Sequence, residues 1–196
     1  MKNVLLINAH QLYEGISEGG LNRHLVDVID AELSAKGARI KRTDIEAGYD
    51  IEEEVQKHLW ADLIICQGPV YWFGLPWIHK QYTDEVLMAG LTGHGFIDGD
   101  GRTRKDRGMQ YGTGGQLTDK QYMLSVTWNA PAEAFGNADQ FLFEGKTVDD
   151  IFVGNTANYR FCGFQILPSF SCYNVVKAPD IPADIERLKQ HLSEQC

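Results

Sequence analysis

Two short stretches of this chain carry almost no polar residue, VLLIN at residues 4–8 and LIIC at residues 63–66. A strand with one face in water alternates apolar and polar residues; a strand apolar at every position needs cover on both faces. The segments between such runs have helical spacing. Leu21, Leu25, Val28, Ile29 and Leu33 keep the period of an amphipathic helix that ends near Lys36 and Gly37. Residues 38–43 (ARIKRT) alternate like an edge strand. Residues 51–60 read as a second helix, acidic at its start, where negative charge suits the helix dipole. Residues 76–88 read as a third helix and residues 122–127 (YMLSVT) as a further strand. Helices are also expected at 132–143 and 148–161, a late strand at 164–170 and a closing helix at 185–192. Buried strands alternating with helices predict an α/β fold, an open doubly wound parallel sheet of about five strands with helices on both faces.

Composition narrows the function. At 196 residues the chain is expected to form one domain, 1–196, with a substantial core. A formal net charge of -9 argues against binding nucleic acid through its phosphates and against docking on an anionic membrane. No apolar run approaches the ~18 residues of a membrane span, so no membrane insertion is expected. The first residues read as a strand rather than a signal peptide. The 4 cysteines show no CxxC pairing and suit reduced thiols of a cytoplasmic protein, with Cys66 and Cys162 as packing residues. The 6 histidines are scattered without metal-site spacing, and there is no GxSxG elbow. Glu52, Glu53 and Glu54 read as a solvated helix start, and DGDGRT at 98–103 lacks the later ligands of a calcium loop. No metal is expected.

In a doubly wound sheet the ligand lies beyond the carboxyl ends of the strands. Three loops leave strands there. The first, residues 9–20, runs through Ser17, Glu18, Gly19 and Gly20 into the helix that opens with Leu21, Asn22, Arg23 and His24. Free amides at that helix start make it either an anion site or an ordinary N-cap. The sequence matches neither GxxxxGK[ST] nor GxGxxG, which weakens a nucleoside triphosphatase or a Rossmann dinucleotide fold. The second loop, GPVYWFGL at 68–75, is a loop of aromatics: a stiff wall for a flat ligand, a dimer contact or a core lid. The third follows Thr127 with Trp128, Asn129 and Ala130, either offering amides to the same crevice or making a simple turn. Residues 90–120 form a glycine-rich, charged segment too long for a plain connection, with Phe96 and Tyr111 available as anchors.

Taken in order, SEGGLN at 17–22, HLWAD at 58–62, GLPW at 74–77, DGRTRKD at 100–106, YGTGG at 111–115 and SVTWNAPAEAF at 125–135 resemble the flavodoxin-like NAD(P)H:quinone oxidoreductases, and closely the modulator-of-drug-activity-B family. The resemblance covers the chain from first strand to last helix. It implies a homodimer with non-covalent FAD that takes two electrons from NADPH and reduces a quinone to a quinol, limiting quinone redox cycling. It also implies site residues. Ser17, Glu18, Gly19, Gly20, Leu21 and Asn22 would hold the pyrophosphate, with Arg23 and His24 continuing that turn. Val70, Tyr71, Trp72 and Phe73 would line the isoalloxazine. Thr127, Trp128, Asn129 and Ala130 would meet its polar edge, and Tyr111 would close the pocket. No side chain is assigned a catalytic acid–base role. Two rival readings share the fold, a flavin-binding ancillary subunit of a membrane potassium-efflux system and a flavodoxin-type electron carrier. Arg102, Arg104 and Lys105 are equally a 2′-phosphate site or a solvated loop.

Overall fold

Burial accounts for the strands. The computed structural model describes residues 2–104, 106 and 108–196; Lys105, one of the three basic residues considered for a 2′-phosphate, lies outside them. Strand β1 is Asn3–Asn8, buried from Val4 onward, and β3 is Leu63–Pro69, buried throughout. Between them come helix α1 (Gly20–Ala35), strand β2 (Arg39–Asp44) and helix α2 (Ile51–Trp60). Helix α3 (Trp77–Gly93), strand β4 (Gln121–Thr127), helices α4 (Val148–Ile151) and α5 (Val153–Phe161), strands β5 (Gln165–Ile166) and β6 (Phe170–Cys172) and helix α6 (Ile181–Gln195) complete the chain.

The strand order is β2-β1-β3-β4-β5, with β6 also on β4, and every pairing is parallel. Side chains alternate between two cores. Val4, Leu6, Leu63, Ile65 and Met123 face α1 and α6, whereas Leu5, Ile7, Ile64, Cys66, Tyr122 and Leu124 face the layer of α2, α3 and α5. The buried-strand pattern therefore reports the doubly wound sheet correctly. Mostly polar β2 is the edge strand, as its sequence predicts. No helix among the described residues is long and apolar enough to cross a membrane.

Four local expectations need correction. Glu54 is not on a solvated helix start: it is buried and accepts from the Thr43 and Tyr82 hydroxyls. Residues 132–143 are not a helix: only Ala132–Ala134 forms a 3-10 turn, and irregular turns follow. The helix expected at 148–161 is broken at Phe152 into α4 and α5. The strand expected at 164–170 is two short strands, because Pro168 has no N–H to continue a ladder. Helices α3 and α6 run longer than their periodicity suggests.

Candidate functional site

Helix connections leave β1 and β3 toward opposite sides of the sheet, so the carboxyl ends of these neighbouring strands flank a switch point. The loop after β1 folds over His10, which is 2 % exposed. The His10 Nε2 lies 3.1 Å from the Ser17 carbonyl oxygen and 3.3 Å from its hydroxyl. Glu46 accepts from the Leu12 N–H at 2.6 Å and lies 3.6 Å from His10 Nδ1. Gly19 then enters α1 with φ of 73°, and a Cβ there would stand 2.6 Å from the His10 ring. A side chain at 19 would collide with the imidazole that supports the loop. Among the described residues no side chain caps α1, and the amides of Gly20, Leu21 and Asn22 have no protein acceptor. That leaves a positive helix end facing the crevice.

The loop after β3 is a tight turn. Tyr71 N–H donates to the Gly74 carbonyl at 2.8 Å and Gly74 N–H to Tyr71 at 3.2 Å, with Trp72 and Phe73 both left-handed between them. Two left-handed central residues make this a type I′ turn. Its aromatics have separate duties. The Tyr71 hydroxyl donates to the Gln11 carbonyl at 3.0 Å and its ring meets Tyr13 edge-on, tying this loop to the first. Burial pushes the Tyr71 phenol up, and the nearby Ser17 side chain opposes the shift. Phe73 packs edge-on against Phe143, which stacks on Phe135; both contact Trp128. Trp72 is 95 % exposed. The turn thus holds one large ring with nothing from its own chain to cover.

The loop after β4 joins them. Val70 N–H donates to the Thr127 carbonyl at 3.0 Å, Trp128 is buried and anchored on Cys172, and Asn129 is exposed. Below the three loops lies a polar layer on the α1 side of the sheet. Asn8, Gln67 and Ser125 occupy one register row across β1, β3 and β4. Ser125 Oγ donates to Gln67 Oε1 at 2.6 Å, Gln67 Nε2 donates to Asn22 Oδ1 at 2.8 Å, and Asn22 Nδ2 lies 3.5 Å from Thr127 Oγ1. Asn8 Nδ2 donates to Asp44 at 3.2 Å. Each strand is apolar along most of its length and turns polar where it reaches the crevice.

The structure therefore brings together the predicted groups at 17–22, 70–73 and 127–130. It does not bring Tyr111 to them within one chain. Tyr111 packs on Phe161 and lines an apolar cleft with Leu87, Met88 and Leu91. Met88 lies well along α3 from its start at Trp77, roughly 16 Å at 1.5 Å per residue. Arg102 sits over the Tyr111 ring and pairs with Asp100. Arg23 folds back so that Nη2 donates to the Glu18 carbonyl at 2.7 Å, and His24 is exposed. The sequence reading missed His10, Gln67 and Ser125; the visible signal was a polar residue near the carboxyl end of each apolar strand, two residues inside it in β3 and β4 and two past it in β1.

The crevice combines unpaired amides, a stiff aromatic turn and a polar floor, which suits a ligand with both an anionic group and a flat ring. Residues 2–196 match the family model described as flavodoxin-like fold. The chain is 42% identical over 193 residues, 98% of each chain, to the NADPH:quinone oxidoreductase MdaB of Haemophilus influenzae. It is 32% identical over 147 residues to the human ribosyldihydronicotinamide dehydrogenase [quinone], covering 70% of this chain and 51% of that one. A solved putative quinone reductase from Klebsiella pneumoniae superposes with TM-score 0.76 at 24% identity, covering 98% and 84% of the two chains. General stress protein 14 of Treponema denticola, solved in complex with FMN, gives TM-score 0.65 at 19% identity over 99% and 97%. These two structures agree with the fold. With near-complete coverage by both the family model and the Haemophilus relative, the chain belongs to the flavodoxin-like NAD(P)H:quinone oxidoreductases, in the modulator-of-drug-activity-B family.

Proposed function

We propose that this protein reduces quinones to quinols by two electrons at the expense of NADPH, using non-covalent FAD held in the switch-point crevice of one flavin-binding domain, 1–196. The observation that carries the reading is the convergence of an uncapped helix start, the Tyr71–Gly74 turn and the end of β4 on one crevice. The residues fit the group. Unpaired amides of Gly20, Leu21 and Asn22 suit a pyrophosphate, and Gly19 leaves room for the His10 ring that supports the loop. Trp72 offers a ring face, while the amides of Trp72, Phe73, Asn129 and Ala130, which have no protein acceptor among the described residues, can meet polar atoms of a flat ligand. Bound there, the flavin supplies the hydride chemistry, and the protein contributes binding, orientation and electrostatics. The choice of FAD over FMN rests on the resemblance to the family. NADPH is the reductant by which the Haemophilus relative is named. Limiting quinone redox cycling in the cytoplasm is the role that follows.

A homodimer belongs to the same proposal. Tyr111 is remote from its own crevice, so it reaches a flavin only across a subunit boundary. The exposed side chains of Met88 and Leu91 beside it favour a protein contact there.

Mass analysis of flavin released by heat is the direct test, with FAD expected; FMN alone would overturn the cofactor assignment. Both substrates are expected to use one site in turn, so double-reciprocal plots at several quinone concentrations should be parallel. Intersecting lines would require two simultaneous sites. Sedimentation should show a dimer, and a fully active monomer would remove Tyr111 from the pocket.

A further inference from the structure

The polar floor of the crevice has a direction. Ser125, Gln67 and Asn22 are all at least nine-tenths buried, so each hydrogen bond among them is a matter of stability as well as orientation. The Ser125–Gln67 separation of 2.6 Å is short for N–H···O but ordinary for O–H···O. Ser125 is therefore the donor and Gln67 Oε1 the acceptor. This places the Gln67 amide nitrogen against Asn22 Oδ1 at 2.8 Å. Asn22 in turn points Nδ2 at Thr127 Oγ1, 3.5 Å away. The order Ser125 to Gln67 to Asn22 to Thr127 runs head to tail. Thr127 receives a donor from within, and its own O–H donates to nothing among the described residues. Ser125 and Thr127 are two apart on β4 and share one face, so the relay starts and ends on the strand whose tip borders the crevice.

Because reversing one amide alone would set like groups against each other between Gln67 and Asn22, the two can reverse only together, and that would reverse the outcome. Thr127 would then donate inward to Asn22, and an oxygen lone pair would point outward instead. Ser125 prevents this, because a flipped Gln67 would leave the buried Ser125 hydroxyl without an acceptor. Aligned hydrogen bonds also polarise one another, which makes the free end a better donor.

We propose that Ser125, Gln67 and Asn22 form a polarised relay that makes the Thr127 hydroxyl a donor to the crevice. The relay thereby favours the cofactor when it carries negative charge after reduction. Ser125 and Gln67 are positioning residues that act through Asn22 and Thr127. The inference rests on the flavin site proposed above and deepens it by assigning its redox bias to groups below the site.

The test compares oxidised and reduced flavin on the purified holoprotein. Gln67→Met keeps the side-chain length and removes both hydrogen bonds; Ser125→Ala removes only the group that sets direction. Each should lower the preference for reduced over oxidised flavin, by about tenfold for Gln67→Met, the loss of roughly one charge-assisted hydrogen bond. For a two-electron couple, tenfold is a midpoint potential about 30 mV more negative. Ser125→Thr retains the hydroxyl and should retain the potential. General loosening of the core would weaken both redox states alike and leave the potential unchanged, which overturns the inference. A more positive potential in Ser125→Ala overturns the assigned direction. Should Gln67→Met fail to fold, Ser125→Ala decides alone. Wild-type protein that takes up no flavin would instead sink the proposed function itself, so the two failures are distinct.

Discussion

Trp72 and Phe73 hold φ of 50° and 66°, the left-handed region where an L side chain crowds its own following carbonyl. Type I′ turns ordinarily place Asn and Gly at these positions for that reason. Phe73 has a packing return, since its ring meets Phe143. Trp72 has none within the chain, yet its backbone carries strain of about 1–3 kcal/mol. Strain without a local return points to a ligand that uses the ring. Trp72→Asn separates the two effects, because Asn tolerates the left-handed region without the extra chain entropy of glycine. Flavin-free Trp72→Asn should resist urea better than wild type by about 0.5–1 kcal/mol, while its flavin dissociation constant rises about tenfold through the lost ring contact. A variant less stable in the flavin-free state would show that the turn is not strained, and an unchanged dissociation constant would assign Trp72 to another surface.

At the scale of elements, the long segment at 90–120 is built from its base outward. Phe96 is fully buried, Ile97 pairs with Gly115, and Asp98 N–H donates to Gly114 at 2.8 Å. Gly115 presses on the backbone just past α5: a Cβ there would lie 2.2 Å from the Gly163 nitrogen and 2.3 Å from the Cys162 carbonyl carbon. Both obstacles are backbone and cannot swing aside, so Gly115→Ala should cost about 1–3 kcal/mol and lower the thermal midpoint; an unchanged midpoint would mean that the base of the segment is loose. The anchoring role of Phe96 and Tyr111 was legible in the sequence because two aromatics stand in a glycine-rich stretch. The sheet was legible too, since short uninterrupted apolar runs alternating with helical segments suit strands covered on both faces. Residues 132–143 were misleading for a physical reason. Phe135 and Phe143 have the spacing of two turns and would stand about 12 Å apart in a helix, but their ring centroids are 4.8 Å apart across a turn at Gly136, φ 68°. The polar row of Asn8, Gln67 and Ser125 was illegible because it exists only once strand order and register are fixed. Tyr111, a site residue by the family resemblance, lies apart from the crevice within one chain because its ring packs on Phe161.

Across the whole molecule, the core opposite α1 buries two neutral histidines in one layer. His58 donates from Nδ1 to the Glu54 carbonyl at 2.8 Å, and its Nε2 has no partner among the described residues; His79 Nε2 is likewise unpartnered. Burial pushes both imidazoles down from 6.5 to about 4, with the Glu54 contacts opposing the shift at His58. The unfolded chain therefore binds more protons than the native one between pH 6.5 and 4. Native stability is full above the unfolded value and falls as pH drops through that window. Each histidine can account for about 3 kcal/mol of loss by pH 4, and together they rival the whole stability of an ordinary domain. Urea midpoints of the flavin-free protein should thus decline from pH 7 to pH 4, beginning before most carboxylates titrate. His79→Leu should follow wild type near pH 7 within the usual cost of repacking, yet decline about half as steeply below pH 6. Carboxylate pairs cannot mimic this, because groups held below their ordinary range lose their contribution at lower pH. A His79→Leu profile parallel to wild type would therefore place the acid sensitivity outside this buried layer.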